Sequence, residues 1–147
     1  MIIRPVRKED LNQIIDLENT CFKHPYSMKD IEYEMFANPV SKFMVIEDEG
    51  KIIGFNDYWI TFDSSTISQI CVDPNYRLKG LGKMMMLEMI KDLKENEVLT
   101  TTLEVRKSNV GAIKFYESLG FYKVNEKKNY YSDQEDAIYM LLEVSNV

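Results

Sequence analysis

Apolar positions along this chain change their spacing several times, and each change predicts a different kind of element. Residues 2–6, Ile2-Ile3-Arg4-Pro5-Val6, read as a short strand whose proline marks an edge or an end. From Glu9 onward, Leu11, Ile14, Ile15 and Leu17 fall at helical spacing. Ser27 is placed to cap a second helix that carries Ile31, Met35 and Phe36 on one side. The period then shortens. Residues 43–46 and 51–62 are rich in β-branched and aromatic side chains, and Asp48-Glu49-Gly50 joins them as a hairpin. A second turn at Asp63-Ser64-Ser65 leads to a third strand over 66–72, which Asp73-Pro74-Asn75 stops.

The second half alternates. Residues 80–95 read as a helix, 99–105 as a strand, and 109–119 as a helix closed by Gly120 in the C′ position. Two more strands follow over 121–127 and 136–143. The predicted order is β-α-α-β-β-β-α-β-α-β-β, an α/β chain with a mixed sheet of about seven strands and helices, about four, on both faces.

A length of 147 residues suits one domain spanning 1–147, and four prolines and six glycines fall as punctuation, with no linker or repeat. The 45% apolar content is enough for a packed core. Eighteen basic residues against 24 acidic ones give a net charge of −6, which argues against a broad phosphate-backbone footprint and so against nucleic acid. A cationic polypeptide partner stays compatible with that charge. Cys21 and Cys71 have no metal-ligand spacing, and a single histidine cannot build a multi-histidine metal site, so no metal is expected. No apolar run approaches the ~20 residues that span a bilayer. The start of the chain resembles no signal peptide, which makes a reducing cytoplasm the expected compartment.

Between the third strand and the next helix lies Arg77-Leu78-Lys79-Gly80-Leu81-Gly82-Lys83. Glycine lets backbone approach a ligand closely, and the N–H groups that open a helix have no partner of their own. With the positive end of the helix dipole they form an anion site. Arg77, Lys79 and Lys83 locally reverse the sign of an otherwise acidic chain, which points to an anionic ligand. A P-loop, G-x-x-x-x-G-K-[ST], is absent. A dinucleotide fingerprint begun at Gly80 and Gly82 fails, because its third glycine falls on Met85 and Gly80 does not follow its strand directly. Alone, the stretch also reads as a basic surface helix without a ligand.

In its wider setting the stretch resembles the GNAT superfamily of acyl-CoA-dependent N-acetyltransferases, whose pyrophosphate loop reads [RQ]-x-x-G-x-[GA] after a strand ending in V-x-P-like residues. Here that is Ile70-Cys71-Val72-Asp73-Pro74-Asn75-Tyr76 and then residues 77–82. The resemblance continues through Leu103-Glu104-Val105-Arg106-Lys107-Ser108-Asn109 and Ala112-Ile113-Lys114-Phe115-Tyr116-Glu117-Ser118-Leu119-Gly120-Phe121. It closes on Asn129-Tyr130-Tyr131 and Glu135-Asp136-Ala137, covering residues 70–140 strongly, and the first half agrees in element order. The combination is most similar to the RimI type, the ribosomal-protein-alanine N-acetyltransferases, and to their archaeal and eukaryotic N-terminal acetyltransferase relatives. His24-Pro25-Tyr26-Ser27 departs from that type's Phe-Pro-Trp-Ser on the substrate side, which leaves the peptide target open.

This resemblance implies acetyl-CoA as the donor, its pyrophosphate held by Arg77, Leu78, Lys79, Gly80, Leu81, Gly82 and Lys83. It implies that two strands splay so that backbone groups of Ile70, Cys71 and Val72 meet the acetyl and pantetheine portions, with the Val72 N–H polarising the thioester. Asn109 would touch the donor while capping its helix, and a pure cap is the other reading. The implied acceptor is a protein N-terminal α-amine, alanine or serine on a ribosomal protein, with Tyr26, Tyr130 and Tyr131 lining its groove.

Acetyl transfer from a thioester needs a neutral amine, a donor for the oxyanion and a proton for the thiolate. The resemblance assigns the general base to Glu104; otherwise Glu104 is a strand-end carboxylate, exposed or paired with a neighbour such as Arg106. It assigns the acid to Tyr116, which by spacing alone is a core aromatic with its hydroxyl at the rim. An α-amine with a pKa of about 8 is neutral far more often at pH 7 than a lysine at about 10.4. Cys71 reads as a small buried hydrophobe rather than an acyl carrier, and His24 as an ordinary loop residue. Met84, Met85, Met86 and Met89 read as helix packing. Two alternatives stand beside this reading: the same fold acetylating a small amine or a lysine side chain, and an acyl-CoA sensor without turnover.

Overall fold

In the computed structural model, which describes residues Met1–Val147, seven strands form one sheet. They are β1 (Ile2–Pro5), β2 (Ser41–Asp48), β3 (Lys51–Thr61), β4 (Ser64–Val72), β5 (Thr100–Arg106), β6 (Tyr122–Lys127) and β7 (Ala137–Glu143). The helices are α1 (Leu11–Cys21), α2 (Met28–Phe36), α3 (Leu81–Glu95) and α4 (Val110–Ser118), in the order the hydrophobic pattern predicts. Strands lie side by side as β1-β2-β3-β4-β5-β7-β6. Every neighbouring pair is antiparallel except β4 and β5, which run parallel. β1, which carries Pro5, sits at an edge, where a missing donor costs no ladder bond.

Local chemistry sets the boundaries. The Ser27 side chain accepts from the Asp30 N–H and caps α2, and that of Asn109 accepts from the Ala112 N–H and caps α4. Glu49 and Gly50 both take positive φ, 49° and 79°, the twist that a tight hairpin between β2 and β3 requires.

α1 and α2 pack on one face of the sheet, through Ile14, Leu17 and Ile31 against Phe43, Val45 and Phe55. On the other face Met86, Met89 and Leu93 of α3 share a core with Tyr116 of α4 and Leu119 just after it. Leu103 and Val105 of β5 and Met140 and Leu142 of β7 complete it. The methionines of α3 are thus packing residues, as their spacing predicts. Alternation along β5 sends Leu103 and Val105 into this core and turns Glu104 to the opposite face. There α1 and α2 cover β2, β3 and β4, and the β5–β7–β6 portion carries no helix.

Two features differ from the sequence-based picture. Phe36 is 52% exposed, while Glu34 takes a buried place on α2. Hydrogen bonds donated by Trp59 Nε1 (2.6 Å) and Asn38 Nδ2 (2.7 Å) replace the water that the Glu34 carboxylate loses. Nor does the sequence suggest that the two cysteines meet. α1 runs over β4, brings Cys21 to Cys71 with their Cα atoms 6.4 Å apart, and a disulfide joins them. Cys71 is 4% exposed and packs in the core with Ile14, Leu17 and Phe55, the small buried hydrophobe its flanking residues predict.

Candidate active site

β4 and β5 pair only at Ser64–Thr100, Ser65–Thr101 and Thr66–Thr102. Just beyond, the β3–β4 register passes from Tyr58–Ile67 to Asp57–Gln69, which leaves Ser68 as a bulge. A bulge bends its strand and sharpens its twist, so β4 swings away from β5. The wedge opens at the carboxyl ends of two parallel strands, the place where sheets of this class bind ligands. The Asp73 N–H bonds to the Ile53 carbonyl on β3 at 2.8 Å. Alternation therefore turns the amides of Ile70 and Val72 toward the wedge and that of Cys71 toward β3.

Residues 77–83 stand at the mouth of the wedge. Gly80, with φ 77° and ψ 11°, is the N-cap of α3, and no side chain caps the helix. A side chain there would be strained though not crowded, and the first amides of α3 stay free of side-chain partners. A Cβ on Gly82 would meet Phe115 Cζ at 3.5 Å, an ordinary contact. Arg77, Lys79 and Lys83 are exposed, and no ion pair joins them to a carboxylate. Arg77 Nε donates to the Val72 carbonyl (3.1 Å), and Lys79 lies 5.3 Å over the Tyr76 ring. Leu78 is fully exposed and Leu81 buried. Asn109 starts α4 at the same end of the sheet, its Oδ1 already taken by the Ala112 N–H at 3.2 Å. Tyr116, on α4, is buried in the core, edge-on to Phe121 at 5.7 Å. Burial, with the Tyr131 phenol as a smaller cause, pushes its pKa up to about 12, so the phenol stays protonated at neutral pH.

The open face of β5, β7 and β6 is built from side chains. Glu104, Tyr139 and Asn125 form one cross-strand row, and Arg106, Ala137 and Lys127 the next. Lys127 crosses β7 over the small, fully buried Ala137 and places Nζ 2.7 Å from Glu104 Oε1. Arg106 is therefore not the partner of Glu104. It binds Asp133 (2.9 Å) and Glu135 (2.8 Å), with its guanidinium 4.1 Å from the centre of the Tyr131 ring. Tyr130 and Tyr131 meet edge to face at 5.0 Å, and burial pushes the Tyr131 phenol up to about 12.

From across the face comes the segment after α1. Glu18 Oε1 accepts from the Tyr26 N–H (2.8 Å) and from Gln69 Nε2 (2.7 Å), which ties that segment to the bulged part of β4. Burial raises the pKa of Glu18, and these two bonds oppose the rise. The Tyr26 hydroxyl lies 3.4 Å from Ser68 Oγ, and His24 Nε2 lies 3.6 Å from Asp133 Oδ2. Tyr26 thus comes from one segment and Tyr130 and Tyr131 from another, and the two segments meet through His24 and Asp133. Sequence reasoning missed Lys127, Glu18 and Gln69. Alternation along β6 puts Lys127 on this face, but what it reaches depends on β7 lying between β6 and β5. No cluster of three or more histidine, cysteine or acidic side chains is placed to hold a metal, and no helix is long and apolar enough to cross a membrane.

Residues 11–121 match the family described as Acetyltransferase (GNAT) family. The chain is 31% identical to the putative [ribosomal protein bS18]-alanine N-acetyltransferase of Bacillus subtilis, over 97% of this chain and 95% of that one. It is 33% identical to the [ribosomal protein bS18]-alanine N-acetyltransferase of Escherichia coli K12, over 97% of each. The crystal structure of the ribosomal-protein-S18-alanine N-acetyltransferase from Escherichia coli superposes with a TM-score of 0.90 at 33% identity, covering 97% of this chain and 93% of that one.

Proposed function

The chain belongs to the GNAT family of acetyltransferases, and we propose that it moves the acetyl group of acetyl-CoA to the α-amine of a protein N-terminus. The acceptor in this reading is the N-terminal alanine of ribosomal protein bS18, which its relatives' names give. The wedge carries the reading: pairing of β4 and β5 stops after Thr66–Thr102 and leaves free amides, unpaired cations and two helix starts at one mouth. Those groups suit a diphosphate joined to an extended amide-bearing arm. Arg77, Lys79, Lys83 and the first amides of α3 neutralise the diphosphate, and Ile70 and Val72 offer the arm the hydrogen bonds a neighbouring strand would have made.

A neutral amine approaches from the face that carries Glu104. The carboxylate takes the amine's proton through water as the new C–N bond forms, the Val72 N–H meets the developing oxyanion, and Tyr116 gives a proton to the sulfur as the C–S bond breaks. Attack is direct, with no acyl-enzyme. In this reading the chain is one domain acting in the cytoplasm, with no metal and no contact with nucleic acid or membrane.

Three acceptors test it with acetyl-CoA: a peptide that begins with the bS18 alanine, the same peptide with a blocked N-terminus and an internal lysine, and free small amines. Mass spectrometry is expected to find transfer confined to the first. Equal transfer to the blocked peptide or to the small amines would replace the α-amine by those substrates. Donor binding without transfer to any of them would make the chain a sensor.

A further inference from the structure

Resting on the reading above, we propose that Lys127 is a positioning residue that keeps the acceptor site from trapping its substrate as an unreactive ammonium. The geometry behind it is the reach of Lys127 across β7 to Glu104, 2.7 Å away, between the rings of Tyr139 (4.4 Å) and Tyr130 (5.3 Å).

A carboxylate that stood alone at the mouth would be a good binding site for the wrong form of the amine. Near neutral pH most N-terminal α-amines carry a proton. An unpaired Glu104 would hold that ammonium in an ion pair, and the ammonium has no lone pair with which to attack. Lys127 already supplies Glu104 with a cation, so an entering ammonium gains little there and meets a positive charge beside it. The neutral amine meets no such repulsion and can still hydrogen-bond the carboxylate through water. A fixed cation next to a bound amine also lowers that amine's pKa, which increases the reactive fraction.

The pair is built for this more than as a surface strut. Ala137 leaves the space that Lys127 crosses, and the two rings hold its ammonium within cation–π range. Glu104 raises the pKa of Lys127, so its charge persists through the working range. The other charges nearby are occupied. Arg106, on the same strand as Glu104, is taken by Asp133 and Glu135, and His24 from the opposite segment faces Asp133. Tyr131 remains protonated at neutral pH. Lys127 is the cation the amine meets at Glu104.

The test compares the wild-type chain with Lys127→Gln and Lys127→Arg, measuring kcat and KM for the alanine peptide from pH 6 to pH 10 at saturating acetyl-CoA. The pH dependence of kcat reports the bound amine. In Lys127→Gln its rising limb is expected to move about one unit to higher pH, so kcat at pH 7 falls roughly tenfold and recovers near pH 9. KM for the peptide is expected to fall or hold, because the ammonium now binds. Lys127→Arg restores the wild-type limb. A loss of kcat equal at every pH, or an unmoved limb with intact thermal unfolding, would overturn the role of Lys127. Failure of the wild-type chain to acetylate the peptide would instead overturn the acceptor assignment.

Discussion

The two halves of the site are built on opposite principles. The donor half, from β4 through residues 77–83 into α3, is backbone and uncompensated charge: Gly80 holds a left-handed turn, the first amides of α3 lack side-chain partners, and Arg77, Lys79 and Lys83 have no carboxylate. The acceptor half is side chains whose charges are matched: Lys127 with Glu104, Arg106 with Asp133 and Glu135, Lys128 with Asp136. An unbalanced cradle suits a ligand of fixed, high negative charge. A balanced one suits an acceptor that must arrive and react without its proton. In the proposed reading, charge does the binding in one half and is kept from doing so in the other.

Breaking each half separates them by different readouts. Glu104→Gln strikes the chemistry and is expected to lower kcat roughly hundredfold or more, the scale of a lost general base, while donor affinity by calorimetry stays within about twofold. A small effect on kcat would mean that water alone deprotonates the amine and that Glu104 only shapes the groove. Replacing Arg77, Lys79 and Lys83 together by Gln acts in the other half. Donor affinity is expected to fall roughly tenfold and to lose most of its salt dependence, with kcat at saturation and peptide KM little changed. If added salt weakens donor binding as much in the triple variant as in the wild type, the diphosphate is held elsewhere.

The same contrast explains what the sequence made legible. The donor half is a contiguous run whose glycine and cations sit beside one another in the chain, and the caps at Ser27 and Asn109 are equally local, so motif and mechanism could be read together. The acceptor half draws on α1, the segment after it, β4, β5, β6 and the β6–β7 connection. Glu104 is singled out only by the family resemblance, and its partner is not, because Lys127 reaches it only across β7. Glu34 misled for a related reason. Helical spacing favours Phe36 for burial, and only Trp59 and Asn38, from outside the helix, make a buried carboxylate tolerable. The Cys21–Cys71 contact depends likewise on how α1 crosses β4.

The smallest expected effect lies under the acceptor half and tests whether its balance extends into the core. Asp57 on β3 is 1% exposed, and its Oδ1 accepts from Ser41 Oγ at 2.6 Å. Its other oxygen meets no donor. Burial first, then the neighbouring Glu34 carboxylate, pushes its pKa up to about 9. Below that pH Asp57 keeps its proton, a neutral acid buried beside the Glu34 carboxylate. An aspartate in the unfolded chain titrates near ~3.9. Between that value and about 9 the folded chain binds the extra proton, so rising pH favours the unfolded state until Asp57 itself ionises. Asparagine keeps the acceptor for Ser41 and a donor for Glu34 while removing the titration. Asp57→Asn is therefore expected to lose less stability than the wild type between pH 6 and pH 9, and to melt a few °C higher at pH 9. Parallel melting curves for the two chains across that range would show that Asp57 holds no extra proton in the folded chain.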